Sequence, residues 1–271
     1  MRADVQPVAG ATLANLDIAR LADYFSRARQ QDCPDLADSA AWTQLLLNTE
    51  LMVELRDAIT PVPVPVPSVA GLLLFGDNPN RFLPQAGIMA TAYPGVEKDY
   101  SATQDRIRGP LVSLFQRDAA GQPKLLLPGV IDRAVAFVRQ HAADPDKIVG
   151  AIRTEQPHYP PDAVREALVN AVAHRDYLLS GTDVEVALYA DRLEIISPGR
   201  LPNGMTVARM RAGTRATRNQ LVLDVLRDYQ YMENRGLGIP RKIIPLMRAH
   251  NGTEPELIVD GDRFTVRLWR G

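Results

Sequence analysis

Between residues 61 and 67 proline alternates with valine, P-V-P-V-P-V-P. Each proline fixes φ and removes a backbone donor, so the stretch cannot be helix and is unsuited to a central strand. It reads as an extended connector of polyproline type and marks a boundary. Before it the apolar spacing is helical: Leu13, Leu16 and Ile18, then Leu21 to Phe25, then Trp42 to Ala58 with Leu45, Leu46, Met52, Val53 and Leu55 at threes and fours. After it, Val69 to Phe75, closed by Gly76, reads as a buried strand, with Ile88 to Tyr93 as its neighbour and the turn-rich Asp77 to Pro84 between them. A polar loop is expected around Asp118 to Lys124, followed by an amphipathic helix, Ile131 to His141, with Ile131, Ala134, Val135 and Val138 on one face.

Composition narrows the function classes. The 271 residues, 46% hydrophobic and 23% charged, suffice for one large or two modest domains. Lys and Arg number 31 against 32 Asp and Glu, so no global polycation argues for nucleic acid, and any such contact is local. The single cysteine, Cys33, excludes an internal disulfide and a multi-cysteine zinc site, and His141, His158, His174 and His250 lack metal-ligand spacing. No basic stretch followed by an apolar run opens the chain, and no run of about 18 apolar residues occurs, so a cytoplasmic protein without membrane segments is expected.

The most informative helix starts at Tyr159-Pro160-Pro161-Asp162, where prolines suit a first turn and the acid suits the positive dipole end, and it runs to about His174. Glu166 and Asn170 are four apart and share a face, with Val164, Leu168, Ala171 and Val172 supplying much of the packed side. A carboxylate can orient a water for attack, and an adjacent amide oxygen can complete the oxygen octahedron of Mg²⁺ on a triphosphate. The spacing alone also fits a solvated helix face. Val184 to Tyr189 and Leu193 to Ile196 read as a hairpin around Ala190-Asp191-Arg192. Ser197-Pro198-Gly199-Arg200-Leu201-Pro202 is then a rigid turn in which a glycine lets backbone approach a ligand. A helix from about Asn219 to Tyr229 follows. Gly236-Leu237-Gly238-Ile239 opens the Pro240 to His250 helix and offers N–H groups and a positive helix end to phosphates, although loops entering helices often use glycine for other reasons. Asn251-Gly252 stops that helix, and Phe264 to Trp269 alternates as a closing strand.

In this order, the strings resemble the GHKL ATPases: histidine kinases, gyrase B subunits, MutL and the large heat-shock chaperones. A closer resemblance is to a divergent GHKL-type ATP-binding family, RecG-like and associated with Schlafen AlbA-type transcriptional regulators. It is carried by Arg165 to Ala171 with His174-Arg175-Asp176-Tyr177, by Asp191 to Ile195 with Ser197-Pro198-Gly199, by Arg218-Asn219 and by Gly236 to Ile239. Upstream, Ala70 to Gly76 and Arg81 to Pro84 also match, and the AlbA-like domain that precedes this region in fuller members is expected to be missing here. The resemblance implies an α+β fold: a C-terminal Bergerat-type two-layer α/β sandwich over 125–271, preceded by a smaller α/β region over 61–120 and a helical segment over 1–60. It implies ATP and Mg²⁺ as ligands, Glu166 as the catalytic residue, Asn170 as the metal ligand, and a nucleotide site of Asn170, Ser197, Gly199, Arg218, Gly236, Leu237, Gly238 and Thr265, with 203–235 as a lid.

Two positions depart from the pattern. Ser197 stands where the superfamily has an aspartate for the adenine amino group, and a neutral acceptor is weaker by about 1 kcal/mol or somewhat more. Leu201 replaces the second glycine of that turn. His174 and Arg175 either complement the helix C-terminus or touch ligand. Arg200, Arg209, Arg211, Arg215 and Arg218 form an acid-free stretch that fits a phosphate grip, a solvated loop or a contact with DNA backbone. No Gly-Lys pair exists, so there is no P-loop and no intrinsic helicase motor. The expected activity is ATP binding with slow hydrolysis in a regulatory module, with a homodimer, DNA or a DNA-binding protein as partner. The alternatives are an inactive nucleotide sensor or scaffold, and a DNA-binding regulator.

Overall fold

A computed structural model describes residues 2–56, 62–142, 148–149, 152–153, 157–202, 204–232 and 238–271. A six-stranded mixed sheet runs in the order Glu256–Asp260, Arg263–Trp269, Arg192–Pro198, Val184–Leu188, Ile88–Ala92, Thr103–Ile107. Neighbours are antiparallel except Ile88–Ala92 and Val184–Leu188, which run parallel. Side chains alternate across the sheet, so Ile88, Ala90, Val184, Val186, Leu193, Ile195, Val266 and Leu268 go to one face and into the core. The helices Val130–Ala142 and Pro161–His174 cover that face. The other face is polar: Glu194 Oε1 accepts from Arg192 Nε at 2.8 Å and Arg267 Nε at 2.9 Å, and Arg267 also meets Glu256. This is the expected two-layer α+β sandwich, and two of its strands, Ile88–Ala92 and Thr103–Ile107, come from before residue 120.

Several elements follow local signals. The helix expected at 131–141 forms over Val130–Ala142, the hairpin turns at Ala190-Asp191, the 219–229 helix is Gln220–Asp228, and Gly252 (φ +76°) ends the last helix. Others differ. The helix expected over 42–58 is shorter, Ser39–Asn48, because Glu50 adopts φ +58° and turns the chain into the strand Met52–Leu55. That strand pairs antiparallel with Val64–Pro67. A two-stranded ribbon needs the N–H of only every second residue, which the valines supply, so the proline stretch is strand at its second half rather than free polyproline; Pro61 lies outside the described residues. The polar loop at 118–124 is the tip of a second ribbon, Leu114–Arg117 with Pro123–Leu127. Glu256–Asp260, the outermost strand of the sheet, was not expected at all.

Val69–Phe75, read as a strand, is a fully buried helix. A continuous apolar run has no period that separates the two. What decides is Ser68, whose hydroxyl accepts from the Gly71 N–H at 3.1 Å as an N-cap. Gly71 itself lies against the Leu51 carbonyl, where an added Cβ would come to 2.1 Å of the oxygen. Gly71→Ala is therefore expected to destabilise the protein by about 1–3 kcal/mol, in the manner of an overpacked core; a urea midpoint equal to that of the wild type would contradict this packing.

Candidate functional site

The Pro161–His174 helix is buried almost all round, and Glu166 is 1% exposed, so the solvated-face account of its polar residues does not apply. Asn170 Nδ2 donates to the Glu166 carbonyl oxygen at 2.8 Å and to Glu166 Oε1 at 3.2 Å. Its NH₂ group is thus directed back along the helix, which leaves Oδ1 for another partner. Lys242 Nζ, on the helix after the glycine loop, lies 3.4 Å from Glu166 Oε2. Gly238 sits directly on this carboxylate: a Cβ there would come to 1.9 Å of Oε1. A glycine is required at 238 by this close approach, since its backbone is in the ordinary right-handed helical region.

Beside this cluster a cleft opens with a volume of about 1040 Å³, counting its mouth. Its floor is Ala167, Asn170 and Ala171 from the helix and Ile195, Ser197, Phe264 and Val266 from the sheet, and Gly238 closes one end. The far wall is the segment 199–217 with Leu223, Arg227 and Met232. Among the described residues the lining holds Arg200, Arg215 and Arg227 and no aspartate or glutamate. An apolar trough whose charged lining consists of arginines suits a ligand with an apolar body and an anionic end.

The structure brings Asn170, Ser197, Gly199 and Gly238 to the cleft. Glu166 lies beneath Gly238 and is not part of the lining. Ser197 Oγ donates to the Ala171 carbonyl at 2.8 Å, which ties the glycine turn to the helix and leaves only lone pairs of the hydroxyl for a ligand. Gly199 has φ +125°, and Arg218 crosses behind it. Arg218 pairs with Asp176 at 2.9 Å and donates to the Arg200 carbonyl, so it shapes the turn and does not line the cleft, whereas Arg215 does. Thr265 alternates with Phe264 and Val266, which line the cleft, so it stands on the opposite, polar face of the sheet, and the nucleotide role expected for it is corrected. Gly236 and Leu237 lie outside the described residues.

Sequence reasoning left His174 open between helix end and ligand contact. The structure puts its ring on the cleft wall, and Arg175 below it in a structural role, donating to the carbonyls of Asp176, Leu179 and Thr182. Burial, then the nearby Arg218 and Arg227 guanidiniums, push the His174 pKa down to about 4. The folded value is below the unfolded one, so the unfolded chain binds the extra proton and stability falls as pH drops from about 6.5 toward 4. His174→Gln is expected to remove roughly 2 kcal/mol of that acid-side loss; identical stability curves for the variant and the wild type between neutral and acid pH would contradict it.

An Mg²⁺ ion would find one protein ligand here, Asn170 Oδ1, with no cluster of three or more His, Cys, Asp or Glu among the described residues. That set fits Mg²⁺, which keeps waters and substrate phosphate oxygens around one or two protein oxygens. No described helix is long and apolar enough to cross a membrane.

No curated protein matches the chain. A solved structure with a similar fold is that of the DIP2311 protein from Corynebacterium diphtheriae, 23% identical, with a TM-score of 0.63 over 99% of this chain. The chain spans about half of that protein, 48% of its length. Residues 181–268, from the hairpin through the glycine turn to the closing strand, match the family described as "Putative ATP-dependent DNA helicase recG C-terminal", to which this part of the chain is similar.

Proposed function

We propose that the cleft binds ATP with Mg²⁺ and that the protein is a regulatory ATP-binding module with slow turnover, working in the cytoplasm. The observation that carries this reading is the composition of the cleft: an apolar trough, three arginines and no carboxylate on its walls, with the Asn170 amide oxygen and the Gly238 helix entry at one end. Asn170 would hold the metal, Arg215 and the backbone entering the Gly238 helix would meet phosphate, and the Ser197 lone pairs would accept from the base. Bound there, Mg²⁺ would neutralise charge developing on the phosphates. Glu166, held by Asn170 and Lys242, would orient the attacking water once the helix start at Gly238 moves off its carboxylate. Closure of the 203–235 segment would then change self-association or contact with DNA or a DNA-binding partner.

Calorimetric titration with ATPγS and Mg²⁺ tests the site. Micromolar binding is expected for the wild type, weakened at least about tenfold by Asn170→Ala, and silence of both ATPγS and GTPγS in the wild type would sink the reading. One observation favours an inactive sensor instead: Glu166 lies under Gly238, outside the cleft lining. Direct DNA binding through the arginine stretch finds less support, because Arg200 pairs with Asp262 and Arg211 with Glu254, while Arg209 donates to the Gly204 carbonyl. Affinity for DNA that falls steeply with salt and weakens in Arg209→Ala/Arg211→Ala would restore it.

A further inference from the structure

The helix Gln220–Asp228 supplies the cleft with Leu223 and Arg227, and the chain leaving it supplies Met232. Both ends of this helix are held by residues from the start of the sequence. At its N-terminus, Asn219 turns inward and donates to the Ala173 and Arg175 carbonyls at 2.8 Å each, so its side chain does not cap its own helix. The cap comes from Asp4, fully buried, whose Oδ2 accepts from the Leu221 N–H at 2.6 Å across 217 residues of sequence. A carboxylate at that position meets an orphan amide and the positive helix end together. Asp4 reaches it because its segment is laced into the core: the Ala70 N–H donates to the Asp4 carbonyl, and the Val69 N–H to the Gln6 carbonyl.

At the C-terminus, the Tyr24 hydroxyl donates to Asp228 Oδ2 at 2.7 Å, and its ring stacks on Tyr229 with centroids 5.6 Å apart. Tyr229 stacks in turn on Tyr231, whose hydroxyl meets Asp132 at 2.5 Å, and Asp132 pairs at 2.6 Å with Arg165, the neighbour of Glu166. Burial draws Asp132 toward the neutral acid, but the hydrogen bonds from Ser113, Tyr231 and Arg165 outweigh it and hold the group ionised.

We propose that Asp4 and Tyr24 are positioning residues of the cleft: they fix the two ends of its wall helix, so that docking of the N-terminal segment and ligand binding are thermodynamically linked. This rests on the Mg-ATP reading for the identity of the ligand. Linkage is reciprocal, so a ligand that needs the wall helix in place also protects the N-terminal segment.

The test uses the full chain with ATPγS and Mg²⁺, comparing the wild type, Asp4→Ala, Asp4→Asn and Tyr24→Phe by calorimetry, thermal melting and amide exchange. Asp4→Asn keeps an acceptor oxygen and Tyr24→Phe keeps the stack, so both retain the fold. Expected are at least about fivefold weaker binding in Asp4→Ala, partial recovery in Asp4→Asn, a smaller loss in Tyr24→Phe, and ligand-induced slowing of exchange at residues 2–28 in the wild type. If the wild type binds ATPγS, unchanged affinity in the folded variants, or no protection of 2–28, overturns the linkage and leaves the nucleotide reading intact. If the wild type binds nothing, that reading fails and the linkage falls with it.

Discussion

Glu166→Gln is expected to lower phosphate release from ATP by roughly 10²–10⁴-fold, the range for loss of a positioned general base, with ATPγS affinity little changed. The glutamine has the same shape and keeps an oxygen to accept from Asn170 Nδ2, now 3.2 Å from Oε1, so the site should not collapse. What it loses is the charge that draws a proton from water. Its neutral amide also faces Lys242 Nζ, 3.4 Å away in the wild type, in place of a carboxylate. Lys242 is partly exposed and can turn to solvent, which limits the structural cost. A phosphate-release assay with the variant and the wild type side by side decides between two readings. A large fall assigns the chemistry to Glu166. Wild-type protein that binds ATPγS and releases no phosphate makes the site a sensor.

Gly238→Ala is expected to weaken Mg-ATPγS binding by at least about tenfold and to destabilise the protein by about 1–3 kcal/mol, as overpacking does. The added methyl would stand 1.9 Å from Glu166 Oε1 and 2.6 Å from its Cδ, and Glu166 is 1% exposed. Either the carboxylate or the start of the last helix has to move, and Gly238, Ile239 and Pro240 at that helix start line the cleft. The double variant Glu166→Ala/Gly238→Ala removes the atoms that clash. Its stability should therefore exceed the sum of the single effects, a coupling of about 1 kcal/mol or more. Additive losses in urea unfolding would show that the contact between 166 and 238 is not what demands glycine.

The parts of this molecule legible in the sequence are those whose signals are local. Pro160-Pro161-Asp162 starts the Glu166 helix, a short polar turn joins the two strands of the hairpin, and Asn251-Gly252 ends the last helix where expected. Where a decision depends on what lies across the core, the residues alone did not reveal it. Val69–Phe75 is helix because of one serine hydroxyl, and Met52–Leu55 is strand because a positive φ at Glu50 returns it to Val64–Pro67. The site divides the same way. The Glu166 and Asn170 spacing is a property of one helix, on which both residues lie, but which arginine of the segment after Gly199 faces the cleft depends on Gly199 drawing Arg218 behind the turn and leaving Arg215 on the wall. Thr265 fell on the wrong face because strand parity is set by pairing with Ile196, outside its own sequence neighbourhood. The cap that Asp4 gives Leu221 has no local signal at all.

The one parallel pairing in the sheet, Ile88–Ala92 beside Val184–Leu188, joins strands roughly a hundred residues apart. Loop-closure entropy has to be met before that seam rewards the chain, whereas the hairpin from Val184 to Pro198 and the one from Glu256 to Trp269 can form early and locally. A partly refolded chain would thus carry an exposed strand edge along Val184–Leu188 until Ile88–Ala92 docks on it. Ser113, Asp132 and Tyr231, which meet only in the finished structure, then lock the crossing chain in place. Slow refolding with a concentration-dependent loss of yield is the kinetic signature such a topology carries.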